Sequence, residues 1–109
     1  MTVHQIVYTS DSSKKMLKSD LYIILRTSRM NNKSLGVTGL LVYCDKKFFQ
    51  VLEGPRDVVS QLFEKISIDD RHFGVRTLSA KDVPKRAFES WEMAYASPSA
   101  NELANWAGL

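Results

Sequence analysis

Gln50 stands between Phe48-Phe49 and Val51-Leu52, in a run that otherwise reads as a buried strand. Alternation at period two puts Phe48, Gln50 and Leu52 on one face and Phe49 and Val51 on the other. A primary amide carries two donors and two acceptor lone pairs, and leaving it unpaired in apolar surroundings costs about 1–3 kcal/mol. Its partner is therefore another buried side chain, an ordered water, or a ligand whose edge offers donors and acceptors together. Tyr8 closes the first apolar run of the chain. A phenol with a pKa of about 10 is protonated at neutral pH and has a proton to give. Lys65, Asp69, Arg71 and His72 gather further along. A solvated charged turn is one account of these residues. Two separated histidines and the single Cys44 show no metal-ligand spacing.

The elements that must hold these groups follow from periodicity. Val3 to Tyr8 reads as a short strand, closed by the polar run Thr9 to Ser13. From about Lys15 to Arg29, Leu17, Leu21, Ile24, Leu25 and Ser28 recur at helical spacing. Asn31, Asn32 and Gly36 end that helix, since Asn and Gly tolerate the left-handed conformation of a C-cap. Val37 to Cys44 and Lys47 to Leu52 are strands joined by an Asp45-Lys46 hairpin. Pro55 opens a second helix whose stripe is Val58, Val59, Leu62, Phe63 and Ile66. Strands over about 74–83 and 88–96 follow, and the tail after Pro98 carries Leu103 and Trp106 at a spacing fit for a short helix.

The order β-α-β-β-α-β-β gives an α+β, ferredoxin-like fold, a five-stranded mixed sheet with both helices on one face. Two helices over a sheet leave a slot for a flat ligand, with Tyr8 and Gln50 able to reach its floor. At 109 residues and 44% hydrophobic, the chain is expected to form one domain over 1–97 with a tail over 98–109. No apolar run nears the roughly 20 residues a membrane span needs, and the N-terminus lacks a signal core. One cysteine agrees with a reducing compartment, so a cytoplasmic protein is expected. A net charge of +3, with lysines and arginines scattered, does not demand nucleic acid.

Four separated motifs, taken together, resemble the BLUF domain, a family of blue-light sensors using flavin. They are Tyr8 at the end of the first strand, Ser28-Arg29 with Asn32 ahead of Gly36-Val37-Thr38-Gly39-Leu40-Leu41, Phe48-Phe49-Gln50-Val51-Leu52-Glu53-Gly54, and Trp91-Glu92-Met93. The resemblance implies a flavin between the two helices, FAD by the family's habit, with FMN and riboflavin left open. Ile24 and Ile66 would wall the ring, Asn32 with Asn31 would meet its pyrimidine edge, and Gln50 would bridge it to Tyr8. Lys65, Asp69, Arg71 and His72 would lie toward the ribityl and phosphate tail. Tyr8 and Gln50 would be the photochemical pair, no substrate would be turned over, and Trp91 and Met93 would relay the signal. Output would pass to a partner or a fused effector. The chain reads either as a stand-alone short sensor or as a domain cut from a longer polypeptide.

The opposite sheet face, with Val3, Val7, Phe49 and Val51, is expected to need a cover: the tail, a second copy of the chain, or a regulated partner. Two rival classes lack their signatures. An RNA-binding sheet would carry a Lys/Arg-Gly-Phe/Tyr motif on a central strand, and an acyl-phosphate hydrolase an arginine-bearing phosphate loop within Thr9 to Ser13.

Overall fold

Asp45 and Lys46 both adopt left-handed backbone conformations, with φ of 50° and 62°, as a two-residue hairpin turn of the primed type requires. They fold β2 (Thr38–Cys44) back on β3 (Lys47–Gly54) in antiparallel register, with Leu41 opposite Gln50. On the other side of β3 lies β1 (Val3–Ser12), with Tyr8 opposite Gln50. β4 (His72–Val83) pairs antiparallel with β1, and β5 (Ala94–Ala96) runs parallel to β2. The five-stranded sheet has the order β4-β1-β3-β2-β5, the expected ferredoxin-like arrangement with an added edge strand. The computed structural model describes residues 2–89 and 93–96. Trp91 and the tail from Pro98, with its expected short helix, lie outside the described residues.

Both helices, α1 (Lys18–Leu35) and α2 (Arg56–Ser67), cover one face. Leu21 and Leu25 of α1 and the whole expected stripe of α2 join Ile6, Tyr8, Leu41, Phe48 and Leu52 in the main core. The other face has its own cluster of Val42, Phe49 and Val51, with Val7, Leu40, Leu78 and Phe88 against it. These three are buried within one chain, so that part of the face is not bare.

α1 starts and ends later than periodicity suggests. The Asp20 carboxylate accepts the Leu17 N–H at 2.9 Å, satisfying a donor just before the helix, and Leu17 itself is exposed rather than on the core stripe. At the other end only Gly36 is left-handed, with φ of 71°, and its N–H and that of Val37 both donate to the Asn32 carbonyl. Asn31 and Asn32 thus lie inside the helix, not beyond it. Pro55 sits at the N-cap of α2 instead of opening it.

Two strands differ more. β1 does not stop at Tyr8 but continues through Thr9 to Ser12, because Ser10 and Ser12 point inward and are satisfied: Ser10 by His72, Ser12 by the Lys14 carbonyl. Tyr8 is therefore a mid-strand residue. β5 is shorter than the expected 88–96, since residues 84–89 form a non-strand crossover, and Tyr95 is 37% exposed whereas Met93 is buried.

Candidate functional site

The register fixes the central contact. Directly opposed residues of an antiparallel pair share a face with their Cβ atoms about 5 Å apart, and Tyr8 faces Gln50 in this way. The Tyr8 hydroxyl donates to Gln50 Oε1. On the other side of the amide, Gln50 Nε2 donates to Met93 Sδ at 3.5 Å, a weak acceptor. Arg29 Nε of α1 in turn donates to the Met93 carbonyl at 2.9 Å. Gln50 is only 5% exposed, so the buried amide anticipated from the strand pattern is real, and its partners are a phenol and a thioether.

The Tyr8 ring is held from above by Phe63 of α2, with ring centroids 5.2 Å apart, and at its edge by His72 at 6.3 Å. His72 Nε2 lies 2.5 Å from the Ile66 carbonyl, which can only accept, so this nitrogen carries the hydrogen. Nδ1 is hydrogen-bonded to the Ser10 hydroxyl at 2.6 Å. With both nitrogens engaged, His72 is held in place at the edge of the Tyr8 ring.

Burial, and after it the negative charge of Asp69, pushes the Tyr8 phenol above its ordinary pKa. Asp69 itself is held down at about 2, first by the hydrogen bond from the Arg71 side chain. Arg71 forks onto it, Nη2 at 2.5 Å and Nε at 2.9 and 3.1 Å from the carboxylate oxygens. A pH titration of tyrosine absorbance, parent minus Tyr8→Phe, should show no ionisation of Tyr8 near the free-phenol value of about 10. The unfolded chain's phenol ionises there while the folded one stays protonated. Its contribution to stability is therefore whole below about pH 10 and is lost as pH climbs through the folded value. A Tyr8 step at or below 10 would contradict the burial argument.

Two adjoining cavities open between α1, α2 and the sheet. One, of about 80 Å³, is lined by Tyr8, Gln50 and Phe48 on the floor, Ile24 and Ile66 on the sides, and Asp69, Arg71 and His72 toward one end. The other, of about 180 Å³, shares Ile24, Gln50, Ile66, Asp69 and Arg71 and adds Asn31, Asn32 and Lys65. Every candidate cofactor residue named from the sequence lines one or both. Several lining residues were not named as ligand contacts. Ser28 had a signal, because it follows Ile24 at the i+4 spacing that shares a helix face. Phe48 alternates with Gln50, and Leu41 reaches the cavity through the register that the two-residue Asp45-Lys46 hairpin fixes.

Aliphatic side walls, buried amides at Gln50 and Asn32, and a charged pair at one end suit a flat heteroaromatic ring with polar edges and a phosphorylated tail. Among the described residues no acidic, histidine or cysteine cluster could hold a metal ion. A slot between the helices whose floor joins a phenol to an amide defines the class: a small α+β domain with a concave site fit for a flat ligand. The family model for BLUF, sensors of blue-light using FAD, matches residues 3–94. The chain belongs to the BLUF family of blue-light sensors.

The beta subunit of a photoactivated adenylate cyclase from Euglena longa is 35% identical over 97 residues, covering 88% of this chain and 11% of that protein. The ground-state structure of BlsA superposes with a TM-score of 0.87 at 34% identity, over 97% of this chain and 72% of that one. The dark-state structure of BlrB, a BLUF protein, gives 0.83 at 33%, over 95% and 77%. The chain thus spans about a tenth of the length of the cyclase it matches. No described helix is long and apolar enough to cross a membrane.

Proposed function

We propose that the cavity holds FAD with its ring between Ile24 and Ile66, and that light acts on this protein through the hydrogen bond from Tyr8 to Gln50. In this reading Asn32, with Asn31, meets the pyrimidine edge, and Lys65, Asp69, Arg71 and His72 line the ribityl and phosphate end. FMN and riboflavin share the ring and differ only at that end. The one observation that carries the reading is the Tyr8 hydroxyl bonded to an amide that itself lines both cavities.

Bound flavin supplies a blue-absorbing ring that is a strong oxidant when excited. The protein supplies everything else. Tyr8, kept neutral by burial, would give up an electron to that oxidant and its proton along the bond to Gln50 Oε1. When charge recombines, the proton returns and the amide is left rearranged, by rotation or by tautomerisation. Rotation exchanges both amide contacts at once: Nε2 turns to Tyr8, and Oε1 turns to a sulfur that cannot donate to it. This matters energetically. One altered hydrogen bond is worth about 0.5–1.5 kcal/mol, whereas inverting a two-state equilibrium from 1:99 to 99:1 takes roughly 5.5 kcal/mol. Met93, and Trp91 before it, would carry the change onward. The output then goes to an effector in a partner or elsewhere in a longer polypeptide, adenylate cyclase being the kind named in relatives.

The purified protein should be yellow, and blue illumination should shift its flavin band to the red, reversing in the dark. A colourless preparation that takes up no flavin on refolding, or a bound flavin with a fixed spectrum, would end this reading. Chromatography of the released flavin identifies its form.

A further inference from the structure

Glu53 is an acid with no exposed surface on the face of the sheet opposite the helices, next to Val51. It is the register partner of Gln5 on β1 and of Thr38 on β2. Four donors surround its carboxylate: Gln5 Nε2 at 3.3 Å, Thr38 Oγ1 at 3.3 Å, and the backbone N–H groups of Ala87 at 3.0 Å and Phe88 at 2.5 Å. Each oxygen takes one side chain and one backbone amide. Arg86 completes the set, with Nη1 donating to Thr38 Oγ1 at 2.9 Å and to the Glu53 carbonyl at 3.1 Å, and Nη2 to the Gly36 carbonyl at 2.7 Å.

The sheet order explains why something must be held here. β4 lies at one edge and β5 at the other, with β1, β3 and β2 between them, and residues 84–89 begin the connection. Residues 86–88 are fastened midway, over the opposite face, where Phe88 packs beside Val42, Phe49 and Val51. Met93 then lies on the helix face, against Gln50. Phe88 and Met93 thus lie on opposite faces of the sheet. A buried ionic group is a poor source of stability compared with an apolar one of the same size, but a fully satisfied polar network fixes a single arrangement.

We propose that Glu53 is a positioning residue for the light response. By fixing the amides of residues 87 and 88 it sets where Met93 meets Gln50, and thereby how slowly the altered state relaxes. This rests on the reading of Gln50 as the light-responsive amide. Glutamine at position 53 would turn an NH₂ toward one of the two backbone amides, so at least one of these bonds is lost, while Tyr8, Gln50 and the cavity are untouched.

The test uses the full flavin-loaded chain. Glu53→Gln should keep a red shift of parental size, relax in the dark at least threefold faster, and exchange the amide hydrogens of 87 and 88 at least tenfold faster. Thr38→Val, which cuts only the hydroxyl link between Arg86 and the carboxylate, should accelerate relaxation in the same direction, and Thr38→Ser should restore it. If Glu53→Gln does not fold, the Thr38 pair decides alone. Relaxation that is slower or within threefold of the parent, unchanged exchange at 87 and 88, or loss of the red shift itself overturns the proposal. A normal light response in Tyr8→Phe is a different failure, because it removes the photochemical reading on which this one stands.

Discussion

Tyr8→Phe will bind flavin and stay locked in its dark spectrum under blue light. The substitution removes one atom and leaves the ring against Phe63 and His72. What it costs is the partner of Gln50 Oε1, about 1–3 kcal/mol for an acceptor left unpaired in the interior. A domain stable by about 5–15 kcal/mol survives that. The response does not, since the proton to be moved is gone. Losing a positioned proton donor lowers rates by about a hundredfold or more, and the yield of red-shifted protein should fall on that scale. Tyr43→Phe is the control. Its hydroxyl accepts the Met16 N–H at 3.0 Å, and its removal should leave the yield near the parent's. A normal red shift in Tyr8→Phe would show that the proton comes from elsewhere.

The parts of this site that could be read from the chain are those that local periodicity controls. Alternation around Gln50 put a buried amide on the core face, and the stripe of α2 faced inward as spaced. Ile24, Asn31 and Asn32 lie along one stretch of α1, so finding them around a common cavity follows from helix geometry. What could not be read depends on partners far away in sequence. Ser10 looks like a loop residue until His72 satisfies it, which is one reason β1 runs longer than its apolar stretch. His72 reads in sequence as part of a charged turn, and its inward placement needs Ser10 and the Ile66 carbonyl. Glu53 is the clearest case. Ahead of Gly54-Pro55 it reads as part of a turn, yet it is buried, because the amides that enclose it belong to residues 87 and 88. Roles such as electron donor or relay were carried by family resemblance, since no spacing rule distinguishes a photochemical phenol from a packed one.

Gly39→Ala should be the most destabilising single change in the sheet, and it explains physically a glycine that the sequence offered only as part of a motif. A Cβ on Gly39 would lie 1.9 Å from the Val51 carbonyl oxygen and 3.0 Å from its carbon. Both are backbone atoms of β3, so no side-chain rotation relieves the overlap, and β2 must move away from β3. The register there carries Leu41 against Gln50 and Thr38 against Glu53. Separating the strands thus disturbs the cavity floor on one face and the Glu53 network on the other. Overpacking in a core commonly costs about 1–3 kcal/mol, and an overlap with backbone belongs at or beyond the top of that range. Urea unfolding of the flavin-free proteins should place Gly39→Ala at least about 3 kcal/mol below the parent, with flavin binding weakened in step. Gly36→Ala gives the contrast. Nothing lies within 4 Å of its Cβ, and its cost comes only from a φ of 71°, about 1 kcal/mol for a residue other than glycine. If the two variants unfold at the same urea concentration, close approach of β2 and β3 is not what position 39 is for, and the account of how the sheet holds Gln50 in place fails with it.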